Sequence, residues 1–152
     1  MTSIGGGGTT EESETRRVAL VVPHLLESGG VPAVARFLAR ALDRTDDFEA
    51  VLFSVATSAG DAASVRLRSP ASWTRGVEVR EATWEGRSCH HVGACGAELE
   101  FMRYMPRAQL TERLETCDFV QIVAGSPAWA LVASTVDRPV GLQVATLVSA
   151  ER

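Results

Sequence analysis

A chain of 152 residues with 45% apolar side chains can bury a sizeable core, and its length fits one domain. The formal charge is −4 and the fifteen basic residues are all arginine, so there is no cationic footprint for nucleic acid and no nucleic-acid partner is expected. No apolar run is long enough to cross a bilayer, the start of the chain lacks a signal-peptide layout, and Cys89, Cys95 and Cys117 form no paired framework. The expectation is a cytoplasmic protein with reduced thiols.

Residues 1–17 are glycine-rich and then acidic, with almost nothing to bury, and are expected to form a mobile tail before a domain over 18–152. The first structural signal is also the strongest. Val18 to Val22 are five consecutive apolar residues, mostly β-branched, the pattern of a strand buried on both faces. Pro23 ends that strand, and a short loop runs through Ser28, Gly29 and Gly30. Val31, Val34, Ala35, Leu38, Ala39 and Leu42 then recur at helical spacing, with Pro32 in the first turn, where its missing N–H costs nothing. A polar turn at 43–47 leads to a second strand over 48–57, which completes a βαβ unit. Such crossovers are right-handed and put the loop after the first strand at the carboxyl edge of the sheet, where open α/β folds bind ligands.

The segment 58–76 reads as a surface loop with a short strand at 65–68, and 77–81 and 88–92 read as a hairpin turning at Glu85-Gly86. A mixed aromatic and charged stretch over 98–106 precedes a helix over 107–116, with Leu110 and Leu114 inward. Then come a buried strand over 118–123, a turn at Gly125-Ser126-Pro127, a helix over 128–136 and a strand over 140–146. The fold class this order predicts is α/β: a Rossmann-like three-layer domain with a mostly parallel sheet.

The loop before the first helix has a chemistry of its own. A helix start leaves N–H groups without partners at the positive end of the macrodipole, and glycines let an anion approach the main chain, or admit a positive φ. Gly29, Gly30 and Val31 are therefore candidates for a phosphate. Equally open is that Ser28 caps the helix and the glycines only turn the chain, since the full G-x-G-x-x-G fingerprint is absent.

The run VALVV through GGVPAVARFLARAL resembles the opening of the family-four nucleotide-sugar glycosyltransferases, whose GT-B fold sets two Rossmann-like domains across a cleft. The resemblance covers most of 18–152 and implies the first, acceptor-side domain of such an enzyme. It implies sugar transfer with retention from a nucleotide-sugar to an acceptor small molecule or glycan, with no cofactor beyond the donor and no metal. It also implies that Gly29, Gly30 and Val31 face the donor diphosphate, that a second domain is missing, and that the chain alone has little activity. Two departures stand out: Pro32 replaces the usual acidic residue, and Ala145 falls where many members carry a histidine near the reacting sugar.

Candidates on the acceptor side are His24 after the first strand, Arg103 and Tyr104 with a forked guanidinium and a phenol, and Gly125 and Ser126 at a second turn. Each also has a structural reading: a solvated histidine, a surface ion pair of Arg103 with Glu98 or Glu100, a packed tyrosine ring, a helix cap. Cys89, His90, His91 and Cys95 suggest zinc ligands, but adjacent histidines on a strand point to opposite faces and no second pair completes the set. No metal site is expected. No catalytic residue is assigned, because neither a nucleophile triad nor a carboxylate pair can be assembled from spacing. A non-catalytic binding or regulatory domain on the same scaffold remains the alternative, and a small dehydrogenase is disfavoured by the absent fingerprint. Peripheral membrane association and a homo-oligomer both stay open.

Overall fold

A strand that is apolar on both faces can only sit inside a sheet, and the computed structural model, which describes residues 14–145, puts it there. The elements are β1 (Arg16–Pro23), α1 (Gly30–Leu42), β2 (Phe48–Val55), α2 (Pro70–Trp73), β3 (Val79–Trp84), β4 (Arg87–Val92), α3 (Ala108–Leu114), β5 (Phe119–Ala124) and β6 (Val140–Val144). Two 3-10 segments, Glu100–Tyr104 and Pro127–Ala133, flank α3 and β5. The six strands form one sheet in the order β3-β4-β2-β1-β5-β6, parallel throughout except for β3 against β4.

The register fixes two faces. Val18, Leu20 and Val22 of β1, with Leu52 and Cys89 beside them, pack against Ala35 and Ala39 of α1. Ala19 and Val21, with Phe53, Val55 and Ile122, face Leu110 and Leu114 of α3 and Trp129 and Val132 of the second 3-10 segment. Helical layers on both sides of a mostly parallel sheet make this a Rossmann-like three-layer α/β domain. Each fully buried Leu or Phe contributes about 1.5–3 kcal/mol by leaving water.

Several expected boundaries move, each for a local reason. The tail expected over residues 1–17 ends sooner, because Arg16 and Arg17 already pair with Phe48 and Glu49; residues 1–13 lie outside the described set. The hairpin strands are offset from the expected ones and enclose Trp84. Their turn has positive φ at both Glu85 (50°) and Gly86 (79°), the backbone that a two-residue connection matched to strand twist demands. Around 65–68 there is a single bridge, Val65 to Cys95. The helix expected over 128–136 is a 3-10 segment from Pro127 to Ala133, and the strand expected to reach Thr146 is described only to Val144.

The excursion after β2 is tied down. Glu78 N–H donates to Ala63 O (3.1 Å), Gly93 N–H to Glu78 O (3.0 Å), Val65 N–H to Ala94 O (2.8 Å) and Gly96 N–H to Val65 O (3.0 Å). Beneath it the Arg107 guanidinium is buried and donates to Ala56 O (2.8 Å), Val92 O (3.2 Å) and Arg103 O (3.0 Å). It thereby joins the ends of β2 and β4 to the first 3-10 segment. At the other end of the sheet Asp43, just past α1, pairs with Arg87 of β4; the Arg87 hydrogen bond holds its carboxyl below the usual range against a smaller opposing effect of burial.

A Cβ at Gly93 would overlap the Ala63 carbonyl, which is backbone and cannot rotate away. Gly93→Ala should lower stability by about 1–3 kcal/mol, read as a shift in the urea midpoint. Gly125→Ala is the control: its Cβ would meet only Val31 Cγ2, at 4.0 Å, and should stay within about 0.5 kcal/mol of the parent.

Candidate functional site

Parallel strands order their outgoing loops at one edge, and here the loops after β1 and β5 meet. Between them lies a cavity of about 320 Å³ walled by His24, Glu27, Gly29, Gly30, Val31, Gly125, Ser126 and Trp129, among others. Six of the eight residues singled out from sequence thus line one cavity. Arg103 and Tyr104 do not reach its wall. Arg103 Nε points at Ala97 O (3.4 Å), and the Tyr104 ring meets Trp129 edge-on at 5.1 Å between centroids, one layer behind.

The floor on one side is the start of α1. Gly29, not Ser28, is the N-cap, and no side chain caps the helix. Ala33 N–H bonds Gly29 O at 3.3 Å and Pro32 has no N–H, so the open donors of the first turn are Gly30 and Val31; neither has a backbone acceptor among the described residues. Thirteen residues of helix stand behind these two amides, enough for a full macrodipole. Gly30 has no positive φ, so its backbone conformation does not itself require a glycine.

His24 is held where a side chain is rarely found. Its φ of 55° is left-handed, a conformation costing of order 1 kcal/mol for a residue other than glycine. The turn closes through Glu27 N–H to His24 O (2.9 Å), and Glu27 Oε1 lies 2.8 Å from His24 Nδ1. A carboxylate only accepts, which places the proton on Nδ1 and leaves Nε2 as the basic nitrogen. Thr57 Oγ1 lies 2.6 Å from Nε2 and 3.2 Å from Nδ1, beside the ring rather than in line with either nitrogen. The imidazole is half exposed at the cavity, with the Thr57 hydroxyl as the nearest neighbour of Nε2.

Across the cavity Ser126 Oγ accepts Ala128 N–H (3.3 Å) and caps the second 3-10 segment, while its own hydrogen stays free for a ligand oxygen. The sequence reading did not pick out Glu27, Thr57 or Trp129. Glu27 alone left a signal, three residues after His24 in a loop too short to separate them.

A second polar chain runs below the excursion after β2: Ser54 Oγ to His91 Nδ1 at 3.0 Å, and His91 Nε2 to Asp61 Oδ2 at 2.8 Å. It joins a serine, a histidine and an aspartate, yet the serine that would have to be the nucleophile is sealed from solvent at 1% exposure, so the chain reads as a part-buried structural network. His90 points to the opposite face, against Phe53 and Glu81. Among the described residues no three His, Cys, Asp or Glu side chains converge as a metal shell. A larger groove of about 700 Å³ lies at the amino end of the sheet, beside Leu38, Leu42 and Phe119. Its wall is mostly apolar, with Arg16, Thr45, Asp118 and Gln121 among the residues that line it.

Burial raises the Cys89 thiol above its ordinary value, with a smaller push from Glu81, and burial likewise raises Cys117, while Cys95 is partly accessible. In both buried thiols the folded state holds its proton longer than the unfolded chain, so their contribution to stability is complete at neutral pH and falls once the pH climbs past the unfolded thiol value. An aromatic disulfide reagent at pH 8 should therefore release one fast equivalent from the native protein and three in denaturant. Three fast equivalents in the native state would contradict the burial.

Compared with known proteins, the chain matches no family model, no curated protein and no solved structure.

Proposed function

We propose that this domain binds the diphosphate of a nucleotide-sugar at the start of α1 and acts as the acceptor-side half of a retaining glycosyltransferase. The carrying observation is the meeting of the two loops at the carboxyl edge around the open Gly30 and Val31 amides. Two N–H donors and a helix dipole suit a phosphate oxygen, and the cavity is too small for a whole nucleotide-sugar, which fits a site shared with a second domain. In this reading His24 Nε2 faces the acceptor hydroxyl, and Glu27 fixes its tautomer. Gly125 and Ser126 line the acceptor side, and Arg103 and Tyr104 support it from behind.

The alternative is a binding domain without chemistry. One observation favours it: Ala145, where the resemblance calls for an imidazole, contributes only a backbone N–H, to Ala124 O at 2.8 Å.

The test is a titration with uridine diphosphate followed by amide NMR. The Gly30 and Val31 signals should move, and Gly30→Val should weaken binding about ten- to a hundredfold, the cost of about 1.5–3 kcal/mol for a lost charge-assisted hydrogen bond. His90→Ala should leave binding unchanged. Shifts confined to other loops would end the reading. The same protein mixed with nucleotide-sugars, acceptors and its natural partner domain then separates transferase from binding domain: His24→Ala should lower turnover about a hundredfold or more while leaving uridine diphosphate affinity within about twofold.

A further inference from the structure

A second cavity, of about 530 Å³, opens inside the excursion between β2 and β3, and its wall carries Arg66, Arg68 and Arg75 together with Ser69 and Ser72. Three arginines against two carboxylates give this wall an excess of positive charge, which favours an anion there. Both carboxylates on that wall are already engaged. Asp61 is committed to His91 Nε2 (2.8 Å) and to Ala63 N–H (2.8 Å), and Glu78 to the forked guanidinium of Arg80 (2.6 and 2.9 Å). Arg66 spends its Nε on Ala59 O (2.9 Å), and the Arg68 and Arg75 guanidinium groups make no hydrogen bond or ion pair to another described residue. The frame around them is tied by the Glu78–Ala63, Gly93–Glu78 and Val65–Ala94 hydrogen bonds and by Ser72 Oγ, which accepts Ser69 N–H at 3.3 Å.

We propose that this cavity is a binding site for a phosphate monoester, held by Arg66, Arg68 and Arg75. A dianion with three equivalent oxygens can meet three guanidinium forks at once, which a single carboxylate with two oxygens cannot. The volume lies in the range of small-molecule pockets and leaves room for a small esterified group beside the phosphate. The site is separate from the glycine loop and does not depend on the diphosphate reading given above. The phosphate could be carried by a soluble metabolite or by the headgroup of a lipid, since the recognising chemistry is the same.

Calorimetry with glycerol 1-phosphate tests the soluble source, and flotation with vesicles of phosphatidylcholine containing phosphatidic acid tests the lipid source. The unmodified chain should bind at least one of them. The double variant Arg68→Gln, Arg75→Gln should weaken that binding by about tenfold or more, whereas His90→Ala, in neither cavity, should leave it unchanged. Both arginines are exposed, so the variant should keep the parent's circular dichroism and urea midpoint, and a weaker ligand response is then a loss of contacts. Binding to neither probe, or binding that the double variant retains in full, overturns the proposal. Binding abolished by Gly30→Val but kept by the arginine variant overturns it too, and at the same time supports the helix-start site.

Discussion

The carboxyl edge of this domain depends on one buried cation. Arg107 places its guanidinium against three carbonyl oxygens, from Ala56, Val92 and Arg103, and no carboxylate touches it. Burial draws its pKa down to about 10, opposed by the weaker field of Asp61 and then Cys95. A charge so placed is costly to leave unpaired, and so are the three carbonyls it serves. Its Nε finds no partner at all. What the arrangement provides is position: the ends of β2 and β4 cannot separate without exposing that network, so the loops that leave them start from a fixed frame.

From that frame both cavities follow. The excursion after β2 returns to β4 through backbone hydrogen bonds and carries the three arginines, while Thr57, two residues past β2, leans on His24 at the start of the loop after β1. A shift at the end of β2 would therefore be felt in both cavities. The strain at His24 belongs to the same picture, since its left-handed backbone is kept by a turn closed on Glu27 and by the threonine beside its ring.

Much of this was written locally. The strand at Val18–Val22, the helix behind Gly29-Gly30 and the hairpin at Glu85-Gly86 rest on neighbours in sequence, and the handedness of parallel crossovers then brings the β1 and β5 loops to one edge. That is why His24, Gly29, Gly30, Val31, Gly125 and Ser126 could be read together. The role of Arg107 could not, because an arginine at the start of a helix looks solvated until partners 15 and 51 residues away arrive. The Ser54–His91–Asp61 chain spans three loop-separated segments, and the arginines of 66–75 have no periodicity to betray a shared cavity. Arg103 and Tyr104 missed the wall because a 3-10 turn, not a strand or an α-helix, orients them.

The two rims of the sheet differ in kind. β3 shows the charged side chains of Arg80 and Glu81, with Arg80 braced on Glu78 and the Ala62 carbonyl. β6 shows Val140, Gly141, Leu142, Gln143 and Val144, with no charge and no proline within the strand. Among the described residues, an incoming strand meets ionic groups that must be desolvated at the first rim and an uncharged strand at the second. Among the described residues, a strand added beside Val140–Val144 would therefore meet a lower desolvation cost than one added at the hairpin rim.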